Sequence, residues 1–269
     1  MCEERIFEIR AQGHLLRTKS IKPSGGQPDD APVLVFLHEG LGSIEQWRDF
    51  PQALTRETGL ATLVYDRYGF GGSDPLQKGR DGLYLQREDI SCLSALLDTC
   101  GVRTPILIGH SDGGTIALLY AARFPERPQG VIVEATHVFV EEATRAGIRD
   151  ALKAYETGGL RERLARYHGD KTDTMFHRWH DDWLAPEFQE WSIEAGLSSI
   201  RCPVLVIQGE DDEYGTVAQV ESIRNRVSGR VESIMIQACG HNPHHQARER
   251  VLREMATFIS GLRSPLPRK

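Results

Sequence analysis

The fold is decided by the stretch Ile106-Leu107-Ile108-Gly109-His110-Ser111-Asp112-Gly113-Gly114-Thr115-Ile116-Ala117. It begins as an apolar, strand-like run and ends as a helix-like run, with the pattern Gly-x-Ser-x-Gly directly between them. A serine on so sharp a turn has strained backbone geometry, and the flanking glycines remove side chains that would clash there. The following helix also favours an oxyanion near its first turn. The bare pattern is common, so its strand-turn-helix setting is what makes Ser111 a candidate nucleophile.

Similar apolar runs recur on both sides of this stretch. One or two strands are expected over residues 6–17, and helix-like stretches cover residues 83–99, 114–123, 217–227 and 248–262. The apolar runs span residues 33–37, 61–65, 105–108, 131–133, 203–207 and 231–236. Strands that alternate with helices indicate an α/β fold with a mostly parallel sheet flanked by helices.

The alternation stops between residues 137 and 198. This segment has helix-like patterns at residues 140–157, 160–167 and 172–183, without strand-like runs between them. It is too long and too regular for a loop. We therefore predict a core domain formed by residues 1–136 and 199–269, with an inserted helical cap formed by residues 137–198.

A nucleophilic serine needs a histidine base, and the base needs an acid that orients it. Asp211 and Asp212 follow the run at 203–207, and His241 follows the run at 231–236. The order serine, acid, histidine suits a nucleophile on this kind of turn, and parallel strands bring their carboxyl ends together. The acids could instead cap a helix and His241 could be a turn residue. Glu134, at the end of the run at 131–133, is an alternative acid.

The chain resembles the α/β-hydrolase superfamily from about residue 30 to 262, and in particular its capped bacterial esterase, lactonase and carbon–carbon hydrolase branch. Residues 109–113 are similar to the nucleophile elbow of that family, and Gly240-His241 to its base loop. Gly209-Glu210-Asp211-Asp212 is similar to the Gly-x-x-Asp acid loop. The resemblance therefore implies a catalytic triad of Ser111, Asp212 and His241.

The same resemblance identifies residues 38–43, His-Glu-Gly-Leu-Gly-Ser, as the oxyanion loop. It implies an oxyanion hole formed by the amide of Gly40 or Leu41 together with the amide of Asp112. Many family members have His-Gly-Gly-x-Gly in this loop, and Glu39 departs from that pattern, so both amides stay open. Residues 66–73 resemble a loop with a supporting role.

Composition narrows the function further. The 269 residues carry a net charge of −6, which gives no basic footprint for nucleic acid or an anionic membrane. No apolar run of membrane-spanning length occurs. The five cysteines are odd in number and lack metal-type spacing, which indicates reduced thiols and a cytoplasmic protein. We expect neither a cofactor nor a metal, and the sequence leaves the oligomeric state open.

Several histidines are alternative site residues. His168, His177 and His180 lie among acidic residues, but their spacing matches no zinc pattern, which favours a solvated face of the cap. His244 and His245 follow the candidate base, where they could line the entrance of the site or face water.

The favoured function is a serine hydrolase that cleaves a small-molecule carboxylic ester or lactone through an acyl-enzyme. Two alternatives stay open. One is a carbon–carbon bond hydrolase acting on a ring-cleavage dienoate, and the other is a non-catalytic protein of this fold that binds a ligand. Turnover of a generic ester separates the enzymes from the binding protein.

Aromatic side chains of the predicted cap are candidates for substrate binding, namely Trp179, Trp183 and Phe139. Phe176, Trp179 and Trp183 follow i, i+3, i+7 spacing, so they share one face of a helix. That face could line the site or form the core of the cap. Residues 137–198 contain twelve acidic and eight basic side chains, a balance of −4. We therefore expect a neutral, apolar or aromatic substrate group rather than an anionic one.

Overall fold

The computed structural model of the protein describes residues 2–76 and 84–263, in which eight strands form one sheet. The strands are β1 (Glu3–Ala11), β2 (His14–Lys22), β3 (Val33–Leu37), β4 (Thr62–Tyr65), β5 (Pro105–His110), β6 (Gly130–Glu134), β7 (Val204–Gly209) and β8 (Val231–Ile236). Their order across the sheet is β1-β2-β4-β3-β5-β6-β7-β8. The pairs β1–β2 and β2–β4 are antiparallel, and the other neighbours are parallel. The predicted mostly parallel α/β sheet is confirmed.

Helices cover both faces of the sheet. They are α1 (Phe50–Thr58), α2 (Tyr84–Thr99), α3 (Asp112–Arg123), α4 (Glu142–Thr157), α5 (Leu160–His168), α6 (Thr172–Leu184), α7 (Val217–Arg226), α8 (Pro243–Gln246) and α9 (Arg248–Arg263). Helices α1 and α9 pack on one face, whereas α2, α3 and α7 pack on the other. Strands β3 to β7 read as continuous apolar runs because both of their faces are covered. No helix in the described part of the chain has the length and apolar character that a membrane crossing needs.

Two predicted boundaries differ from the structure in an informative way. The leading segment forms two full strands over 3–11 and 14–22, because Gln12 and Gly13 both adopt positive φ and reverse the chain in two residues. Helix α3 begins at Asp112, directly after Ser111, rather than at residue 114. The candidate nucleophile is therefore the last residue before the helix.

Helices α4, α5 and α6 lie between β6 and β7, where the sequence predicted helices without strands. The two ends of this segment meet in an isolated antiparallel bridge between Phe139 and Ser192. Backbone hydrogen bonds from Val140 to Trp191 and from Ile193 to Val138 tie the outgoing and returning chain together. The division into a core domain and a cap at residues 137–198 stays a prediction.

Candidate active site

Ser111 stands on the turn between β5 and α3. Its backbone has φ 51° and ψ −118°, a strained conformation that side-chain-bearing residues rarely adopt. A Cβ atom on Gly113 would collide with the carbonyl group of Leu37, and one on Gly109 would collide with the backbone of Gly113. Only glycine fits at both positions, so the turn can pack tightly against β3 with Ser111 at its tip.

Asp212 and His241 come together from the loops after β7 and β8. The Nδ1 atom of His241 lies 2.8 Å and 3.0 Å from the two carboxylate oxygens of Asp212, whose side chain is buried. The amide of Tyr214 also donates to Asp212 Oδ1, at 2.8 Å. Burial alone would raise the pKa of Asp212, but the hydrogen bond and charge of His241 outweigh it and hold that pKa below its usual range. An ionised Asp212 fixes the proton of His241 on Nδ1 and leaves Nε2 able to accept one.

The same cavity is lined by Ser111 and His241. Each is largely buried, with 7% of its surface exposed. In the described part of the chain, the hydrogen bonds of Ser111 involve its backbone N–H and carbonyl, and its hydroxyl group has no partner there. Hydrogen bonds between a nucleophile and its base are often long without substrate and tighten when substrate binds.

Side-chain hydrogen bonds to its carbonyl groups hold the candidate oxyanion loop in place. His38 Nδ1 and an Arg67 guanidinium nitrogen both donate to the carbonyl oxygen of Glu39, at 2.8 Å and 3.0 Å. His168 Nε2 donates to the carbonyl of Leu41 at 3.0 Å. The indole of Trp179 packs so closely over Gly40 that a Cβ atom there would collide with it. These contacts fix the loop beside the nucleophile turn.

His168 was predicted on a solvated face, and that prediction is wrong. Its side chain is buried, and its Nδ1 atom accepts a hydrogen bond from the amide of Gly71 at 3.0 Å. The histidine at the end of α5 therefore links the helical segment to two loops of the sheet. Its spacing carried no signal for this role, because Gly71 and Leu41 are far from it in sequence.

Residues 66–73 have contacts that agree with a supporting role. The Asp66 carboxylate accepts from the amides of Ile44 and Gly72, at 2.7 Å and 2.8 Å. A guanidinium nitrogen of Arg67 lies 3.6 Å from the carboxylate of Asp112, and both side chains are buried. The negative charge beside the nucleophile is thus balanced by Arg67.

The buried His110, next to Ser111 in the chain, faces the partly exposed carboxylate of Glu39. His110 Nε2 donates to the carbonyl oxygen of His241 at 2.7 Å, and its Nδ1 atom is 3.7 Å from a Glu39 carboxylate oxygen. Burial opposes protonation of His110, but Glu39, and less strongly Glu134, outweigh it and raise the pKa of His110. His110 therefore connects the loop of His241 to the loop of Glu39. No pattern in the sequence indicated this role.

Glu134 faces a different histidine from the candidate base. Its Oε2 atom lies 2.6 Å from Nδ1 of His244, and both side chains are buried. His244 therefore does not face water. The contacts favour Asp212 over Glu134 as the acid that orients His241.

The cavity that contains Ser111 has a volume of about 550 Å³ and extends beneath α4, α5 and α6. Trp179 and Trp183 line it, together with apolar side chains of α4. The described lining does not include Phe139, which bridges to Ser192 at the base of the helical segment. Phe176 stacks on Tyr155 inside the segment instead. The predicted aromatic face is therefore divided between the cavity and the packing of the helices.

A second cavity of about 390 Å³ lies next to the first and shares part of its lining. Arg48, Arg163 and Arg166 line it. The acidic balance of residues 137–198 therefore does not describe the charge at this point. Two of these arginines lie on α5, inside the segment whose overall balance is acidic. The expectation of a neutral, apolar or aromatic substrate group stays a prediction.

Comparisons with known proteins agree on one family. The family described as "Alpha/beta hydrolase family" matches residues 34–254. A proline iminopeptidase of Lactobacillus helveticus is 30% identical over 254 residues, covering 80% of this chain and 85% of that protein. A bifunctional esterase/perhydrolase of Acinetobacter calcoaceticus is 25% identical over 216 residues, covering 69% and 76%.

Solved structures share the same fold. A 2-hydroxy-6-oxo-6-phenylhexa-2,4-dienoate hydrolase from Rhodococcus superposes with a TM-score of 0.81, covering 97% of this chain and all of that one. The sequences are 15% identical, so this likeness concerns the fold alone.

Proposed function

This chain belongs to the α/β-hydrolase family, and from that premise we propose that it is a serine hydrolase of small-molecule carboxylic esters or lactones. Ser111 is the nucleophile, His241 the base and Asp212 the acid that orients the base. The observation that carries the proposal is the Asp212–His241 pair, at 2.8 Å, in the cavity that Ser111 lines on its strained turn.

The reaction follows from these positions. His241 Nε2 accepts the proton of the Ser111 hydroxyl while the oxygen attacks the carbonyl carbon. The amide of Asp112 and that of Gly40 or Leu41 stabilise the oxyanion, each by about 3 kcal/mol. The tetrahedral intermediate expels the alkoxide, which receives the proton from His241. Water then gives its proton to His241, attacks the acyl-enzyme and releases the acid and Ser111.

The acyl group is apolar or aromatic and lies beneath the helical segment, which acts as the cap. Trp179 and Trp183 support this assignment, because both line the cavity beside Ser111. Trp183 also contacts Phe188 and Trp191, so its ring belongs to the packing of the cap as well. Phe139 is no longer part of the proposed acyl pocket. The free thiols of all five cysteines support a reducing, cytoplasmic location.

Turnover of p-nitrophenyl butanoate tests this function. A rapid burst of about one p-nitrophenolate per protein, followed by slower steady turnover, is the expected signature of an acyl-enzyme. Ser111→Ala is the matched control and should lose both phases. A parallel panel of a lactone, a prolyl amide and a ring-cleavage dienoate identifies the bond that is cleaved. A folded protein that hydrolyses none of the esters or lactones would contradict the proposal.

A further inference from the structure

The second cavity lies between the short 3₁₀ helix Ile44–Trp47, α5 and the chain that follows His241. We call it the vestibule, and its defining residues are Arg48, Arg163, Arg166, Trp47, Tyr167 and His245. We propose that the vestibule binds an anionic group, a carboxylate or a phosphate, carried by the leaving group of the substrate. This inference rests on the proposed serine-hydrolase function and specifies its substrate class.

The vestibule has an excess of positively charged side chains. Three guanidinium groups line the vestibule, and Glu39 is the acidic residue of its described lining. Glu39 faces His110, which lowers the pKa of that carboxyl despite its burial and balances its charge. The guanidinium groups of Arg48 and Arg166 make no ion pair or hydrogen bond within residues 2–76 and 84–263. Guanidinium groups form strong, charge-assisted hydrogen bonds with carboxylates and phosphates.

Histidine adds no positive charge to the vestibule. His245 donates to the carbonyl of Gln46 at 2.9 Å, and burial together with nearby cations lowers its pKa to about 4. The positive charge of the vestibule therefore comes from the arginines.

The vestibule lies on the side of the site where His241 would protonate the leaving group. His241 protonates the leaving atom, so the leaving group departs on its side of the site. Asn242, His244 and His245, which follow the base in the chain, line the vestibule. Asn242 also lines the cavity of Ser111, and so do Gln46 and Leu164 of the vestibule. A leaving group can therefore extend from Ser111 into the vestibule.

The charges that line the first cavity indicate which end of the substrate binds there. Its described lining includes no lysine or arginine, and of its acidic residues Asp150 is paired with Lys153 at 2.7 Å. An anionic group therefore has no arginine or lysine partner there, whereas it has three arginines in the vestibule. The substrate thus has an apolar acyl part beneath α4 and an anionic leaving group beneath α5.

Matched esters test the proposal with the full-length protein. Butanoyl esters are made of 3-hydroxybenzoate, of 4-hydroxyphenylpropanoate and of 3-hydroxyphenyl phosphate. The neutral partners are the same esters with an N-methylamide in place of each carboxylate and a dimethyl phosphate ester in place of the phosphate. We expect kcat/KM to favour an anionic ester over its neutral partner by about tenfold at low salt, as one charge-assisted contact provides. The anion whose ester shows the larger ratio of kcat/KM over its neutral partner is the group that the vestibule binds best.

The double variant Arg163→Gln/Arg166→Gln should bring this ratio close to one. The ratio is measured within each variant, so a loss of folded protein cancels. Arg224→Gln, an exposed change on α7 outside both cavities, should keep the ratio of the wild type. Added salt should reduce the wild-type ratio, because the arginines are exposed.

Two results would overturn the proposal. If the wild type hydrolyses the neutral esters without preferring an anionic one, or if the double variant keeps the preference, the vestibule does not bind the leaving group. If no ester is hydrolysed and Ser111 reacts with no fluorophosphonate, the proposed function itself fails. The two failures are therefore distinguishable.

Discussion

The loops at the carboxyl edge of the sheet and the helices above them are fixed by different forces. Ser111 is held by close backbone packing around Gly109 and Gly113, and Asp212 and His241 are held by short hydrogen bonds. Helices α4 to α6 pack on one another through aromatic rings. They contact loops of the core through side-chain hydrogen bonds of Thr144, His168 and Lys171. On the proposed function, we expect the sheet edge to determine the chemistry and the helical segment to determine the choice of substrate. Substitutions in the two regions should therefore change different kinetic constants.

The largest effect is expected at the nucleophile. Ser111→Ala should lower kcat by roughly 10⁶, as removal of the serine does in other triads. Alanine leaves the turn and its glycines in place, so the thermal unfolding midpoint should stay near that of the wild type. Steady-state ester hydrolysis together with a melting curve checks both points. Residual activity within a hundredfold of wild type would contradict the assignment.

The acid loop should show the next largest effect. Asp212→Asn should lower kcat by about 10⁴, because the imidazole loses the partner that fixes its tautomer. Asp211→Asn is the matched control, since Asp211 is exposed and its neighbour already contacts His241. Glu134→Gln is a second control, since Glu134 contacts His244. A larger fall in kcat at either control would reassign the acid.

A change in the helical segment should act on selectivity instead. Trp179→Ala should lower kcat/KM for an aromatic acyl ester by about tenfold relative to an acetyl ester, because apolar contact area is lost. Phe176→Leu lies on the same helix, where it stacks on Tyr155 and contacts Trp179, so it should lower stability and change that ratio less than Trp179→Ala does. An unchanged ratio in Trp179→Ala would mean that this ring packs within the cap and does not contact the acyl group.

His168 lies on the helical segment and contacts loops at the sheet edge. His168→Gln weakens the contacts of α5 with Gly71 and Leu41, and should lower kcat by about fivefold, the value of one net hydrogen bond. KM should change less, because the oxyanion loop contacts the transition state more than the bound ester. His177→Gln, an exposed change nearby, is the control. Equal effects of the two variants would rule out a positioning role.

The smallest effect concerns pH. Glu39 holds the pKa of His110 above its ordinary value of 6.5 in the folded protein. The stabilisation is therefore complete below that value and is lost as pH rises through the folded pKa. In denaturant unfolding between about pH 6 and 9, the free energy of unfolding that the wild type has in excess of His110→Gln should therefore shrink as pH rises. The buried His38, His137 and His168, whose pKa values are lowered, act in the opposite direction but are common to both proteins. A difference that stays constant with pH would contradict the contact between His110 and Glu39.

The sheet edge could be predicted from sequence because its constraints are local. Steric rules dictate the glycines around Ser111, and the apolar runs mark the strands whose ends carry Asp212 and His241. One linear pattern therefore predicts both the fold and the positions of these side chains.

The helical segment could be predicted only as helices. In the sequence, Phe139 is a candidate for substrate binding like Trp179 and Trp183. In the structure it lies at the bridge with Ser192, outside the described lining of the cavity. The contact of His168 with Gly71 and the arginines of the vestibule depend on how α5 sits over the sheet. Such long-range contacts leave no periodic signal in the sequence.

The most direct test of the account is to identify the residue that a fluorophosphonate modifies in the wild-type protein. After labelling, intact mass should show one adduct per chain, and peptide mapping should place it on Ser111. Asp212→Asn should label far more slowly, because its histidine no longer activates the serine. An adduct on another side chain, or ester hydrolysis that continues after Ser111 is fully modified, would contradict the central claim.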